Sequence, residues 1–192
     1  NTTIKFNCGY DGQYGIDVQD GGCIDIRDLN GDPSNITSAN QYAYTFRIRE
    51  GASAMMINSE VHRCGYYTGQ IDYRSGIFIE TPDVLIEGCT ISNNYIGIVF
   101  DAVSNIEIKS TSDDSSSRFV RISNNGYGIY AIASTNLDFI DAIFCNNNAY
   151  DFYLDSSSTA NTLDCYPASL TQGGGGILTS DFSSGLIFFE QD

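Results

Sequence analysis

Short apolar segments recur along this chain of 192 residues at similar intervals. One series consists of four-residue runs at 76–79, 97–100, 128–131, 151–154 and 176–179. A second series follows each of these runs, at 84–86, 106–108, 137–140, 162–165 and 186–189. A third series ends in a pair of asparagines, at 91–94, 122–125 and 144–147. A repeat of about 20–25 residues built from short strands predicts a solenoid, in which each coil buries its apolar face against neighbouring coils.

Three strands per coil predict an all-β chain, folded as a single-stranded right-handed parallel β-helix with about 20–25 residues in each coil. Because side chains alternate between the two faces of a strand, Ile98 and Phe100 are expected to share one face and Val99 to take the other. The asparagine pairs are expected at sharp turns between sheets, since asparagine tolerates left-handed backbone conformations. Stacking of the coils predicts two amide ladders, formed by Asn93, Asn124 and Asn146 and by Asn94, Asn125 and Asn147.

The whole chain, 1–192, is interpreted as one β-helix domain, with less regular coils in 1–73 and regular repeats in 74–192. The composition of 30–35 predicts a loop, and the serine-rich segment 110–117 is interpreted as a loop inserted at one corner of a coil. No stretch shows sustained helical spacing, so a very low helix content is expected. Strands are predicted in the N-terminal part at 15–18, 23–26, 44–48, 54–57 and 60–62.

The charge of the chain is strongly negative, with 9 Lys and Arg against 24 Asp and Glu and a formal charge of −15. Such a field repels nucleic acid and anionic lipid, so neither is expected as a partner. No apolar run is long enough to span a bilayer, so membrane insertion is not expected either. A hydrated acidic exterior accounts for the charge, and attraction of divalent cations is the alternative.

No cofactor is predicted, although calcium is an open alternative. Asp28, Asn30 and Asp32 bring several oxygen ligands together in one segment. Their spacing lacks the full pattern of an EF-hand loop, and turn-forming Asp and Asn residues account for the segment more simply. The single histidine and the absence of a Cys-x-x-Cys motif give no support to a zinc or haem site.

The even number of cysteines favours an oxidising, extracellular location. All six are disulfide candidates, within the chain or between chains: Cys8, Cys23, Cys64, Cys89, Cys145 and Cys165. Cys89 and Cys165 fit buried apolar positions better, whereas Cys64 and Cys145 fall near predicted turns, from which they could reach another coil or another chain. Asn1 and Asn35 each begin an Asn-x-Thr triplet and are candidate glycosylation sites.

The repeating units 76–95, 97–127 and 128–150 resemble the parallel β-helix repeat of the pectin-lyase-like superfamily, including NosD-type repeat proteins. The resemblance implies the fold well and the function poorly, since lyases, hydrolases, adhesins and surface-layer proteins share it. In general character the chain also resembles archaeal cell-surface and sheath β-helix proteins.

A catalytic site of the kind found in β-helix polysaccharide enzymes has one candidate region. Pectate-lyase-like enzymes use an Arg or Lys base with acidic residues that hold calcium, and this resemblance singles out Lys109, Asp113, Asp114, Arg118 and Arg121. The paired aspartates, Gly-His-Gly and Arg-Ile-Lys clusters of polygalacturonases do not occur as such. The pattern therefore favours a protein that is not an enzyme.

The ends of a β-helix expose unpaired strand edges. No amphipathic helix that would cover such an edge is found, and the aromatic strand of Leu186, Ile187, Phe188 and Phe189 is the predicted assembly edge. We therefore predict an extracellular structural protein that associates edge to edge with copies of itself into a surface layer, sheath or filament. The alternative is a carbohydrate-active or carbohydrate-binding β-helix that recognises cell-surface glycans.

Overall fold

The computed structural model describes residues 2–28, 32–111, 118–167 and 169–181. Several predicted features lie outside the described residues: Asn1, Asn30, Asp113, Asp114, most of the loop 110–117 and the edge 186–189. The described residues form strands, turns and bends, without an α-helix. Among them there is accordingly no helix long and apolar enough to cross a bilayer.

The strands follow one another with three in each complete coil. In chain order they are β1 (Thr3–Phe6), β2 (Gly15–Val18), β3 (Cys23–Arg27), β4 (Ser34–Ser38), β5 (Thr45–Ile48), β6 (Ser53–Ile57), β7 (Ser59–His62), β8 (Gly76–Ile79), β9 (Val84–Glu87), β10 (Thr90–Ser92), β11 (Ile96–Asp101), β12 (Ser104–Lys109), β13 (Arg121–Ser123), β14 (Tyr127–Ile132), β15 (Thr135–Ile140), β16 (Ile143–Cys145), β17 (Tyr150–Leu154), β18 (Thr159–Leu163), β19 (Gln172–Gly174) and β20 (Ile177–Asp181).

These strands build three parallel sheets that enclose one apolar interior. The A sheet has the order β1-β4-β7-β10-β13-β16, the B sheet β2-β5-β8-β11-β14-β17-β19 and the C sheet β3-β6-β9-β12-β15-β18-β20. Every strand pairing among the described residues is between one coil and the next, as expected of a solenoid. The predicted all-β, right-handed parallel β-helix is thereby confirmed.

Coil length varies although the stacking is continuous. In the B sheet, Phe46 pairs with Ile77 after 31 residues, and Ile77 pairs with Ile98 after 21. Ile98 then pairs with Ile129 after 31 residues. In the coil from Phe46 to Ile77 the additional residues 65–75 leave the coil at the corner between the A and B sheets. The inward positions of the three coils remain in register. This keeps one uninterrupted core along the axis.

One predicted asparagine ladder is confirmed. The backbone N–H of Asn94 donates to Asn125 Oδ1 at 3.0 Å, and that of Asn125 donates to Asn147 Oδ1 at 3.2 Å. Gly128 packs against this ladder. A Cβ at this position would stand 3.0 Å from Asn147 Nδ2. The ladder satisfies backbone donors at the corner between the A and B sheets, where strand pairing is interrupted.

The second predicted ladder is wrong in part. Asn93, Asn124 and Asn146 do adopt the left-handed conformation, with φ of 57°, 56° and 56°. Their side chains are exposed, and no hydrogen bond joins them to one another within the described part of the chain. The turn geometry directs these side chains into solvent, so only the following asparagine of each pair points inward to form a ladder.

Two boundary predictions also need correction. The sequence pattern places 176–179 in the same series as the runs that form β8, β11, β14 and β17 of the B sheet. In the structure β20 (Ile177–Asp181) lies in the C sheet instead, because the preceding glycine-rich β19 takes the B-sheet position. The predicted loop 30–35 ends earlier, since Ser34 and Asn35 already belong to β4. Serines can occupy the inward positions of β4 because Ser38 Oγ finds a backbone acceptor at Phe6, at 3.4 Å.

Candidate functional site

The outward face of the B sheet carries the densest aromatic surface of the described chain. Strand register aligns Phe78, Val99, Tyr130 and Tyr153 in one column on β8, β11, β14 and β17. A second column begins with Tyr127, which pairs with Tyr150. Because the alternate positions on either side of them are buried in the main core, Val99, Tyr130 and Tyr153 project outward. Tyr127 and Tyr150 lie on the same surface, since their rings contact those of Tyr130 and Tyr153.

We call the six tyrosines of this surface the tyrosine face: Tyr67, Tyr95, Tyr127, Tyr130, Tyr150 and Tyr153. The rings of Tyr130 and Tyr153 are stacked, with centroids 4.5 Å apart. Tyr127 contacts both neighbouring coils, at 6.5 Å from Tyr95 and 6.3 Å from Tyr150. Aromatic pairs at these separations stabilise one another, so the rings form a continuous surface across several coils.

A second, smaller apolar cluster holds the tyrosine face in place. Phe78, Ile96 and Val99 are buried outside the main core, and Ile71 packs against them together with several of the tyrosines. Ile71 belongs to the segment 65–75, which leaves the coil between the A and B sheets. The ends of this segment touch at Gly65, whose φ is +74° and where a Cβ would lie 2.3 Å from the carbonyl carbon of Ser75. The tyrosines therefore rest on a packed support.

Two phenols of the tyrosine face have raised pKa values, which favours their neutral form. Burial and the neighbouring Tyr153 raise the pKa of Tyr130 to about 12. Burial also raises the pKa of Tyr95, with Tyr127 adding to the effect. Neutral phenol groups both donate and accept hydrogen bonds. The face thus offers apolar ring surface with polar groups at its rim.

The exposed fraction of these side chains differs along the face. Tyr67 is 62% exposed and Tyr150 is 37% exposed, whereas the other four tyrosines are half-buried. Such a surface can receive a ligand that has a flat apolar side and hydroxyl groups around it. Sugar rings have this chemistry, because their axial C–H groups pack on aromatic rings while their hydroxyls form hydrogen bonds.

The N-terminal half of the same sheet is built from ion pairs. Arg47 forms a bidentate pair with Glu80, at 2.6 and 2.8 Å, and also lies over the ring of Tyr73, at 5.1 Å from its centroid. Arg49 forms a second bidentate pair with Asp17, at 2.8 Å for both contacts. Hydrogen bonds from Arg49 lower the pKa of Asp17. These charged groups are satisfied by one another.

The predicted lyase-like residues do not form one site in the described structure. Lys109 lies on the C sheet, where its Nζ contacts Glu107 Oε1 at 2.6 Å. Arg118 donates to the Asn58 carbonyl at 3.3 Å. Arg121 lies in β13 of the A sheet and donates to Cys145 Sγ at 3.3 Å. Lys109 and Arg121 thus belong to different sheets, because the corner of the coil separates their strands.

The six cysteines are all free thiols in this structure. Cys89 and Cys165 are buried as expected, and burial raises the pKa of the Cys89 thiol to about 12. Cys64 is fully buried and packs in the core, where it is not accessible to another chain. Cys8 is buried as well, whereas Cys23 is exposed and Cys145 is half-buried. A disulfide between chains through Cys23 or Cys145 stays a prediction.

Two further candidates occupy structured positions. The amide of Asn35 is half-buried in β4 and donates to Glu60 Oε2 at 3.1 Å. Glycosylation of Asn35 would therefore require this hydrogen bond to break. Asp28 is buried, and Asp32 is exposed. No group of three or more His, Cys, Asp or Glu side chains in the described ranges is placed to hold a metal ion, so calcium stays a sequence-based alternative.

The geometry as a whole defines a parallel β-helix with an apolar interior and distinct side-chain clusters on the outside of its sheets. The chain matches the model of the right-handed beta helix region over residues 1–165, and it belongs to that family. No curated protein and no solved structure gave a match. Family membership establishes the fold and leaves the function to be argued from the sites.

Sequence reasoning missed the tyrosine face. Tyr95, Tyr127 and Tyr150 each stand at or beside the start of a B-sheet strand, so their recurrence was a signal available in the sequence. Tyr67, by contrast, enters from the segment 65–75. Its contact with Tyr95, at 5.5 Å, depends on how that segment folds back on the sheet.

Proposed function

We propose that this chain is an extracellular β-helix that binds neutral glycans through its tyrosine face. The observation that supports the proposal is the continuous row of tyrosine rings that begins with Tyr95, just before β11, and continues on β14 and β17, placed on a packed apolar support. Aromatic surfaces of this kind bind ligands of matching shape with little loss of conformational entropy, because a tyrosine side chain has few rotatable bonds.

The charge of the protein selects among glycans. At −15, the chain repels anionic polysaccharides such as polyuronates. The acidic groups beside the face include Asp155, whose pKa hydrogen bonds from Ser158, Ala133 and Ser157 hold below its usual value although burial opposes them. An ionised carboxylate at the rim accepts hydrogen bonds from sugar hydroxyls. A neutral polysaccharide is therefore the ligand class that fits both the rings and the charge.

Two equally exposed tyrosines provide a matched test. Tyr67 and Tyr10 are both 62% exposed, but only Tyr67 belongs to the tyrosine face. Binding to soluble xyloglucan, mixed-linkage β-glucan and mannan would be measured by affinity electrophoresis and calorimetry. We expect Tyr67→Ala to weaken binding by about tenfold, the effect of losing one stacking contact at a binding surface, and Tyr10→Ala to leave it unchanged.

An anionic polysaccharide, polygalacturonate, is the control ligand in this experiment. Polygalacturonate is expected to bind at least about tenfold more weakly than the neutral glycans, because of its repulsion by the acidic surface. Equal loss in the Tyr67 and Tyr10 variants, or preferential binding of polygalacturonate, would contradict the proposal. So would the absence of binding to every neutral glycan tested.

Edge-to-edge self-assembly into a layer, sheath or filament is the second candidate function. It is supported by the exposure of β1, in which Ile4 is 43% exposed and only one edge is paired, with β4, among the described strands. The other predicted edge, 186–189, lies outside the described residues. A strand with a free edge can pair with a strand of another molecule.

Sedimentation over a wide range of concentrations tests assembly. The carbonyls of Thr2 and Phe6 accept hydrogen bonds from β4, so the intervening Thr3 directs its N–H to the free edge. Thr3→Pro removes this edge donor and is expected to shift the protein towards the monomer, whereas Tyr10→Ala is not. Non-reducing electrophoresis would detect disulfides between chains through Cys23. A wild-type protein that stays monomeric at the highest concentration tested would refute this candidate.

A further inference from the structure

Three polar side chains on the A sheet, Ser92, His62 and Glu60, form a series of hydrogen bonds that we call the relay. The relay belongs neither to the tyrosine face nor to the strand edges. Ser92 Oγ lies 2.7 Å from His62 Nδ1, and His62 Nε2 lies 3.2 Å from Glu60 Oε2. The contacts follow from strand register, because Ser92 of β10 pairs with His62 of β7, and Glu60 stands two residues before His62 on the same strand. A hydroxyl, an imidazole and a carboxylate in this order make up the arrangement that activates a serine nucleophile.

The carboxylate at the far end of the relay is itself held in position. Asn35 Nδ2, on β4, donates to Glu60 Oε2 at 3.1 Å, the same oxygen that His62 contacts. The relay therefore crosses three adjacent strands of a rigid sheet. Sites on strands are positioned more accurately than sites on loops, and an oriented carboxylate fixes the tautomer of the imidazole. With the proton on Nε2 directed to Glu60, Nδ1 is free to accept the proton of Ser92.

A depression of about 340 Å³ opens beside His62. It is lined by Lys5, Arg63 and Asn93 among others, so it is basic although the protein as a whole is acidic. Asn93 Nδ2 donates to Ser92 Oγ at 3.0 Å and is the amide donor closest to the hydroxyl. A donor at this place can stabilise the negative oxygen that develops when a carbonyl is attacked.

We propose that Ser92 is the nucleophile of an acyl-transfer site that hydrolyses small esters carrying an anionic group. Ser92 Oγ attacks the ester carbonyl carbon while its proton passes to His62 Nδ1. The bond between the carbonyl carbon and the alcohol oxygen then breaks, and His62 returns the proton to the departing alkoxide. Water then gives a proton to the same nitrogen and attacks the acyl carbon. The bond between that carbon and Ser92 Oγ breaks, His62 returns the proton to Ser92 Oγ, and the carboxylic acid is released. Lys5 and Arg63 attract the anionic part of the substrate.

The chain contains a matched control for Ser92. Ser123 is the partner of Ser92 on the next coil, occupies the same position of its strand and is nearly as buried, at 3% against 5%. It makes no contact with the only histidine of the chain. An acidic environment or general reactivity of buried serines would affect both residues equally, whereas the relay acts on Ser92 alone.

Diisopropyl fluorophosphate is a probe small enough for a nearly buried hydroxyl. The serine oxygen attacks phosphorus, fluoride leaves, and the proton is taken up by the base. Peptide mass spectrometry of the wild-type protein measures labelling of Ser92 and Ser123 in the same digest. We expect Ser92 to react at least about 100-fold faster than Ser123, the lower range of a general-base effect. Equal rates, or no labelling of Ser92, would overturn the proposal without the need for a variant.

Variants then separate catalysis from a merely structural ladder of hydrogen bonds. His62→Gln and Glu60→Gln are expected to lower both the labelling of Ser92 and the hydrolysis of an anionic short-chain ester, mono-(p-nitrophenyl) succinate, while Ser123→Ala changes neither. Circular dichroism checks that each variant is folded. Labelling of Ser92 that persists unchanged in folded His62→Gln protein would show that the hydrogen bond only joins two coils. Glycan binding is measured in parallel, and its presence or absence does not bear on this outcome.

Discussion

The two halves of the B sheet have the same backbone and different exteriors. On β2, β5 and β8, arginine and carboxylate side chains pair with one another, as Arg47 does with Glu80 and Arg49 with Asp17. In the other half, Tyr95 stands just before β11, and the tyrosines of β14 and β17 stack across coils. The column that carries Arg47 on β5 continues as Phe78 on β8 and Val99 on β11 before it reaches Tyr130 and Tyr153. The interior beneath both halves is apolar and continuous.

The difference shows which part of a β-helix is free to acquire a function. Inward side chains fill the core and cannot vary independently, because neighbouring coils pack on them. Outward side chains carry no such requirement. Where they neutralise each other, as in the ion-paired half, little binding capacity remains, whereas the tyrosine half keeps rings and hydroxyls available to a ligand.

The largest effect on stability is expected in the tyrosine half. Tyr130→Ala removes a ring that stacks on Tyr153, so the free energy of unfolding should fall by about 2 kcal/mol, from lost burial and ring contact together. Chemical denaturation measures the change. Tyr10→Ala, at an exposed position outside the face, is the control and should change little. Equal decreases in the free energy of unfolding for the two variants would mean that ring contacts within the tyrosine face do not stabilise the protein.

A smaller loss is expected in the ion-paired half. Arg47→Met leaves Glu80, whose side chain is only 21% exposed, without its bidentate partner. We expect a decrease of about 1–2 kcal/mol in the free energy of unfolding, between the values typical of exposed and buried pairs. Arg27→Met is the matched control, since the Arg27–Asp25 pair is 43% exposed on both sides, and it should show no measurable change.

Alkaline pH should destabilise the protein through Tyr130, in the tyrosine half. The pKa of Tyr130 is about 12 in the folded protein and about 10 in the unfolded chain, so folding favours the protonated phenol. Its contribution is complete below pH 10 and is lost as the pH rises from about 10 to 12. Thermal melts should show a less steep decline over this window in Tyr130→Phe than in the wild-type protein. An identical decline would contradict the shifted titration.

The smallest effect concerns salt. The Arg49–Asp17 pair is about 40% exposed, with 39% and 42% for the two side chains. Screening by salt weakens such a pair, so any decrease in melting temperature caused by Arg49→Gln at low ionic strength should vanish in 1 M NaCl. The difference between Tyr130→Ala and wild-type protein, which depends on ring packing, should persist there. If salt abolished both differences, the distinction between the halves would fail.

The sequence by itself determined the coil, the three sheets and most of the core. Apolar runs such as Gly97–Phe100 and asparagine pairs such as Asn124–Asn125 predict strands and turns because these preferences are local to a few residues. Boundaries failed where the local pattern was weak, as in glycine-rich β19 and serine-rich β4.

Only the tertiary structure decided which outward side chains meet. Ser92 and His62 are 30 residues apart, and Tyr95 and Tyr127 are 32 apart, yet each pair is in contact. The reason is that coils of 21 and 31 residues stack in the same register. Side-chain periodicity within a strand cannot reveal that register, because it depends on how many residues each corner holds outside the coil.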